Sequence, residues 1–201
     1  MNFEHRGLDN ADRGREARID FPVEIDGSQV PSLANALEFK KNEFVVYPAH
    51  GVGQITAIEV QTIAEASLEF FVIYFAKSKM KARVPTQKAT RIGVRKLSSP
   101  AAIEQARRTL GQSARRARGN WAQLTKEYEA KVKSGDVIAL AEVMRDLRPR
   151  TAEAEKSYSE RQFYAVALDR LSAEVALVEC ITEEEATSGL ESLLKSGAPT
   201  K

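Results

Sequence analysis

Between Leu97 and Pro100 the apolar residues change rhythm, and this change constrains the fold more than any other feature of the chain. Before it, short runs rich in β-branched and aromatic residues are broken by Gly and Pro, which is the pattern of strands. After it, apolar residues recur three and four positions apart, which is the pattern of helices. One rhythm followed by the other specifies a β unit and then an α unit, not an interleaved parallel sheet. The expected fold class is therefore α+β, in two domains.

The β unit spans residues 38–97. Phe44-Val45-Val46-Tyr47 is a short β-rich run halted by Pro48 and the turn-prone His50-Gly51. Val52 to Ile63 reads as a longer strand, and Gly51 and Gly53 bracket its start, where a bend or bulge is expected. Glu69 to Phe75 is the most strand-like segment of the protein. Lys77-Ser78-Lys79 reads as a hairpin connection, and Met80 to Val84 as the returning strand, closed by Pro85. Four or five short strands in this space predict a small, strongly bent antiparallel sheet or SH3-like barrel.

The α unit spans residues 98–197. Ser99-Pro100 opens a helix towards Gly111, with serine as N-cap and proline in the first position. A second helix is expected from Asn120 to Ser134-Gly135, and a third after Asp136, stopped by Pro149. Ser159 with Gln162 resembles a capping box for a fourth helix, along which Phe163, Val166, Ala167, Leu171, Val175 and Val178 share a face. Thr182 with Glu185 is a second capping box, for a last helix to Gly197. Together these predict a compact five-helix bundle. Residues 1–37 follow no sustained period and read as a flexible acidic arm, and residues 198–201 as a short tail.

Charge divides along the same boundaries. Residues 1–38 carry a net −4, residues 39–97 +6, residues 98–150 +5, and residues 151–201 −5. A basic middle suits a polyanionic partner such as nucleic acid, or simply keeps the surface solvated. Chemistry, by contrast, has little to stand on. The two histidines are His5, in the arm, and His50, in a turn, and neither a metal-binding nor a phosphate-binding motif is present. The single cysteine, Cys180, excludes an internal disulfide and falls on an apolar helix, where it reads as a core residue. No cofactor or metal is expected, and a reducing cytoplasm is the expected compartment. No apolar run approaches the roughly 20 residues that span a bilayer, so no membrane partner is expected. Binding, not catalysis, is the expected activity.

Between Gln105 and Lys126 there is no Asp or Glu, while Arg107, Arg108, Arg115, Arg116 and Arg118 occur. The only tryptophan, Trp121, closes this stretch at the start of a helix. Two readings stay open for it. It packs back onto the bundle, or it wedges against base pairs while arginines hold the phosphates.

Phe44-Val45-Val46-Tyr47-Pro48-Ala49-His50-Gly51-Val52-Gly53, with Ile58 and the later Arg83-Val84-Pro85, resembles the polymerase-interacting domain of CarD/CdnL bacterial transcription regulators. A similar domain occurs in transcription-repair coupling factor. Asn120-Trp121, Tyr128-Glu129-Ala130-Lys131, Ser134-Gly135-Asp136 and Glu142-Val143-Met144-Arg145-Asp146-Leu147 continue the likeness in the family's order, so that it covers about Phe39 to Gly197. The resemblance implies a Tudor- or SH3-like domain docked on the RNA polymerase β subunit, and a helical domain on promoter DNA near the upstream edge of the bubble. It further implies stabilisation of the open complex by a monomer that is nucleoid-associated through polymerase. By position, Tyr47, Pro48, Gln61, Arg83, Val84 and Pro85 would serve polymerase binding. Trp121 would be the wedge, Lys126 a backbone contact, and Arg115, Arg116 and Arg118 further DNA contacts. Two departures stand out. Ala122-Gln123-Leu124 replaces the basic residues that often follow the tryptophan, and Gln61 stands where some members carry an arginine. They leave room for an adaptor that binds polymerase and has lost DNA contact.

Overall fold

The computed structural model describes residues 39–63, 66–114, 121–148 and 157–196. Five strands form one antiparallel sheet: β1 (Phe44–Tyr47), β2 (Gly51–Ile63), β3 (Ala66–Phe75), β4 (Met80–Pro85) and β5 (Arg95–Lys96). Their order across the sheet is β4-β3-β2-β1-β5. The β2–β3 register slips once, between Ile55 and Ala57, and the expected irregularity lies there instead of beside the glycines. Each glycine has another task. Gly51 takes a φ of +78° in the turn from β1, a backbone that side chains disfavour. Gly53 lets β2 approach the core, because a Cβ there would lie 2.6 Å from Ile73 Cγ2.

Val45, Tyr47, Ile55, Phe71, Ile73, Phe75, Ala82 and Val84 build the core of this unit. Phe39 closes one end, edge-on to Phe71 with ring centroids 5.6 Å apart. A helix that the sequence pattern did not reveal, α1 (Thr86–Ile92), covers the core after β4 and buries Ala89. Seven residues make only two turns, too few for a helical period to stand out. Gly93 ends it in the left-handed region at φ +91°.

The bundle comprises α2 (Pro100–Leu110), α3 (Trp121–Ser134), α4 (Val137–Asp146), α5 (Tyr158–Glu179) and α6 (Glu183–Ser196). The Ser99 and Asp136 side chains accept from the Ala102 and Ala139 backbone N–H groups, as N-caps do. Ile103, Leu110, Leu140, Met144, Leu171, Val175 and Leu190 meet in its single apolar core. Thr182 and Glu185 form the expected reciprocal cap of α6.

Two expectations fail at the ends of α5. The capping box is Ser157 with Glu160, not Ser159 with Gln162. Both pairs have the right spacing, but an ionised carboxylate also gains from the helix dipole, which a neutral amide does not. Cys180 is exposed, not a core residue. The helix stops at Glu179, and Cys180 takes left-handed angles (φ 55°, ψ 42°) that turn it out of the apolar stripe. The arm at 1–37 and the tail at 198–201 lie outside the described residues.

Candidate binding surfaces

Side chains alternate across a strand, so register sorts the sheet into two faces. Ala57, Val72 and Arg83 lie in one cross-strand row, and Glu59, Phe70 and Pro85 in the next on the same, outer face. Gln61, opposite Leu68, continues that face along the β2–β3 hairpin. Arg83, Pro85 and Gln61 thus share one face of the sheet. Arg83 is exposed and its Nε donates to Glu59 Oε2 at 3.4 Å. An exposed pair of this kind contributes at most about 1 kcal/mol, so a carboxylate on a partner can take the place of Glu59. β4 is also an edge strand of the sheet, the kind of edge to which an extended segment can add.

Val84 and Tyr47 point the other way. They are 3% and 6% exposed and belong to the core, so their side chains support this surface from beneath. Pro48 sits at the junction with the bundle. A Cβ on Gly93 would lie 2.9 Å from its Cγ, and one on Gly135 3.5 Å from its Cα.

That junction is built from polar groups on α5. Arg170 Nη1 donates to the Pro48 carbonyl at 2.6 Å and to the Val132 carbonyl at 2.7 Å, and its Nη2 donates to the Ala49 carbonyl at 2.7 Å. Burial lowers the pKa of this guanidinium and the neighbouring Asp169 carboxylate opposes the shift; an arginine stays charged throughout. One turn further on, Glu174 is 1% exposed. Both its oxygens receive the Arg95 guanidinium, at 2.7 and 2.9 Å, and Oε1 also accepts from the Ser98 N–H at 2.8 Å. Arg95 Nη2 donates in addition to the Gly135 carbonyl. At the rim, Lys77 in the β3–β4 hairpin pairs with Asp169 and Glu183, at 2.6 and 2.7 Å.

His50 stacks on Tyr47 and tilts against Phe75, with centroids 5.3 Å away in each case. Desolvation, and then the Arg170 charge, hold its imidazole below the usual range. A histidine lowered on folding binds fewer protons than it does in the unfolded chain. Its stabilising contribution is complete above the ordinary pKa of about 6.5 and declines as the pH falls through it. Thermal unfolding should therefore show a melting temperature that drops between pH 7.5 and 5.5, with a smaller drop in His50→Gln. An equal drop in both proteins would assign the effect elsewhere.

On the bundle, Trp121 is the first residue of α3, and Lys126 is exposed one turn on. Arg115, Arg116 and Arg118 lie outside the described residues. Several other cations of the bundle are engaged. Arg107 meets Glu179 at 2.7 Å, Lys133 meets Glu129 at 2.6 Å, and Lys131 bridges Glu127 and Glu142 at 2.8 and 3.0 Å. Among the described residues, no helix is long and apolar enough to cross a membrane, and no cluster of side chains could hold a metal ion.

Residues 39–98 match the family described as the CarD-like/TRCF RID domain, and residues 105–191 match the CarD C-terminal domain. A putative transcription factor of Bacillus subtilis, YdeB, is 30% identical over 152 residues, which cover 75% of this chain and 98% of that protein. The chain belongs to the CarD/CdnL family. As a CarD-family protein it is a transcription regulator that interacts with RNA polymerase. In this CarD-type chain the Tyr47-Pro48-Ala49-His50-Gly51 motif forms the socket for Arg170. Sequence reasoning passed over Arg170, Glu174 and Arg95. A signal for one of them was present, because Glu174 is a lone carboxylate inside the apolar run from Leu171 to Val178.

Proposed function

We propose that the outer face and β4 edge of the sheet dock on the RNA polymerase β subunit, and that the bundle then meets promoter DNA near the upstream edge of the bubble and stabilises the open complex. The observation that carries this reading is that one chain joins an RID-type sheet to a CarD C-terminal bundle, with Arg83 and Gln61 exposed on the outer face of the sheet. Arg83, Pro85 and Gln61 form the docking face, with Val84 and Tyr47 in the core behind it and Pro48 where the sheet meets the bundle. Trp121 is the wedge, and Lys126, Arg115, Arg116 and Arg118 hold phosphates. Docking supplies the address, so weak and sequence-tolerant DNA contacts suffice. The protein acts as a cytoplasmic monomer, nucleoid-associated through polymerase.

Arg83→Glu is expected to weaken polymerase capture by about 10- to 100-fold, because it places like charges together at the contact. Trp121→Ala should leave capture intact and shorten open-complex lifetime on a single promoter. A specific observation favours a second reading, an adaptor without DNA contact. Ala122 and Gln123 are exposed in the first turn of α3, where relatives often carry cations, and Lys126 follows only a turn later. An unchanged lifetime in Trp121→Ala, with capture retained, would decide for the adaptor.

A further inference from the structure

We propose that Arg170 and Glu174 are positioning residues, which fix α3, the helix that begins at Trp121 and carries Lys126, in one orientation relative to the polymerase-docking sheet. The consequence for promoters rests on the function proposed above, whereas the orientation itself is a property of this chain alone.

Apolar packing alone does not set that orientation, although Val46, 3% exposed, lies against Gly135 at the junction. The buried apolar residues divide into two clusters, one inside the sheet unit and one inside the bundle. The directional contacts between the units are hydrogen bonds. The last carbonyls of a helix lack intrahelical donors and carry partial negative charge. Two carbonyls at the end of α3 are met by guanidinium groups, Val132 by Arg170 and Gly135 by Arg95. Each of those guanidinium groups also engages the other unit. Arg170, from α5, reaches the Pro48 and Ala49 carbonyls of the β1–β2 turn, and Arg95, from β5, is held by Glu174 of α5.

Arg170 and Glu174 are four residues apart and so face the same way from α5. They therefore hold the end of α3 against the sheet at two points. A single point would leave a pivot. Two points, with Gly135 close against Pro48, set both the position and the direction of the helix. The Lys77 pairs add little, since all three side chains are 43–58% exposed. Arginine is needed at position 170 because its planar fork reaches three carbonyls, which an ammonium group cannot match in the same geometry.

A tether raises local concentration only where the geometry permits both contacts at once. A bundle free to pivot on the sheet would hold Trp121 near the promoter but seldom in register with it. Arg170 and Glu174 then govern the second contact without touching either partner.

The test uses the full chain in a Cys180→Ser background, with spin labels at Lys88→Cys on α1 and Ala130→Cys on α3, both exposed positions. Pulsed electron resonance should give one narrow distance distribution. Arg170→Lys and Glu174→Gln should each broaden it while leaving helicity unchanged. In unlabelled protein the same variants should keep polymerase capture and lose most of the gain in open-complex lifetime. A distribution that stays narrow in both variants would overturn the inference. So would a broadened distribution with the full lifetime gain. If the parent chain itself gives no lifetime gain, the proposed function fails, and the two distributions alone still decide whether the pair sets the orientation.

Discussion

Arg95→Ala is expected to lower unfolding stability by about 3–5 kcal/mol, the usual cost of stranding a buried charge. Glu174 is 1% exposed and accepts three hydrogen bonds, two of them from Arg95. Without the guanidinium only the Ser98 N–H remains for a carboxylate buried beside the bundle core. Arg95 itself is 29% exposed, so water can follow it into the gap, which places the effect at the low end of the range. Removing both partners should cost less than removing Arg95 alone, since Arg95→Ala with Glu174→Leu leaves no charge behind. Urea unfolding of the two single variants and the double variant measures the coupling. A loss below about 1 kcal/mol in Arg95→Ala would show that the carboxylate is not held as described.

Gly53→Ala should destabilise by about 1–3 kcal/mol, the cost of overfilling a close-packed core. A Cβ at this position would lie 2.6 Å from Ile73 Cγ2 and 2.8 Å from Phe75 Cε1. Both side chains are almost fully buried and have no solvent to move into. Beside Gly53 on the neighbouring strand stands its partner Val45, also fully buried. Gly111→Ala is the control. Gly111 takes right-handed helical angles, and its nearest neighbours would be backbone carbonyl oxygens 3.6 and 4.0 Å away. That substitution should leave the melting temperature unchanged or raise it slightly, by restricting the unfolded chain. Equal losses at the two positions would remove the steric explanation.

Much of the fold was legible because its signals are local. Ser99-Pro100, Asp136 and the Thr182–Glu185 box each cap a helix with atoms no more than three residues away. The Glu69 to Phe75 run is a strand wherever it pairs. Legibility failed where two local signals competed or where the element was short. Ser157-Glu160 and Ser159-Gln162 offer the same spacing within one turn, and only the charge separates them. α1 is too short to show a period, and Cys180 left the apolar stripe because the helix ended one residue before it.

The candidate site was legible in a different measure. Arg83, Pro85 and Gln61 were marked by resemblance, and the register brings them to one face. Tyr47 and Pro48 were marked for the same partner, yet they lie in the core and at the junction. A motif of adjacent residues does not reveal which face of the sheet each side chain takes once a turn intervenes.

By itself the sequence determined that a strand-forming unit would precede a helix-forming one, since period, turns and caps act over a few residues and need no partner. The tertiary structure alone decided how the two units meet. Arg170 reaches Pro48 across 122 positions and Glu174 reaches Arg95 across 79. No local rule links residues so far apart, because their contact exists only after both units have folded and a buried carboxylate and guanidinium must find partners within reach.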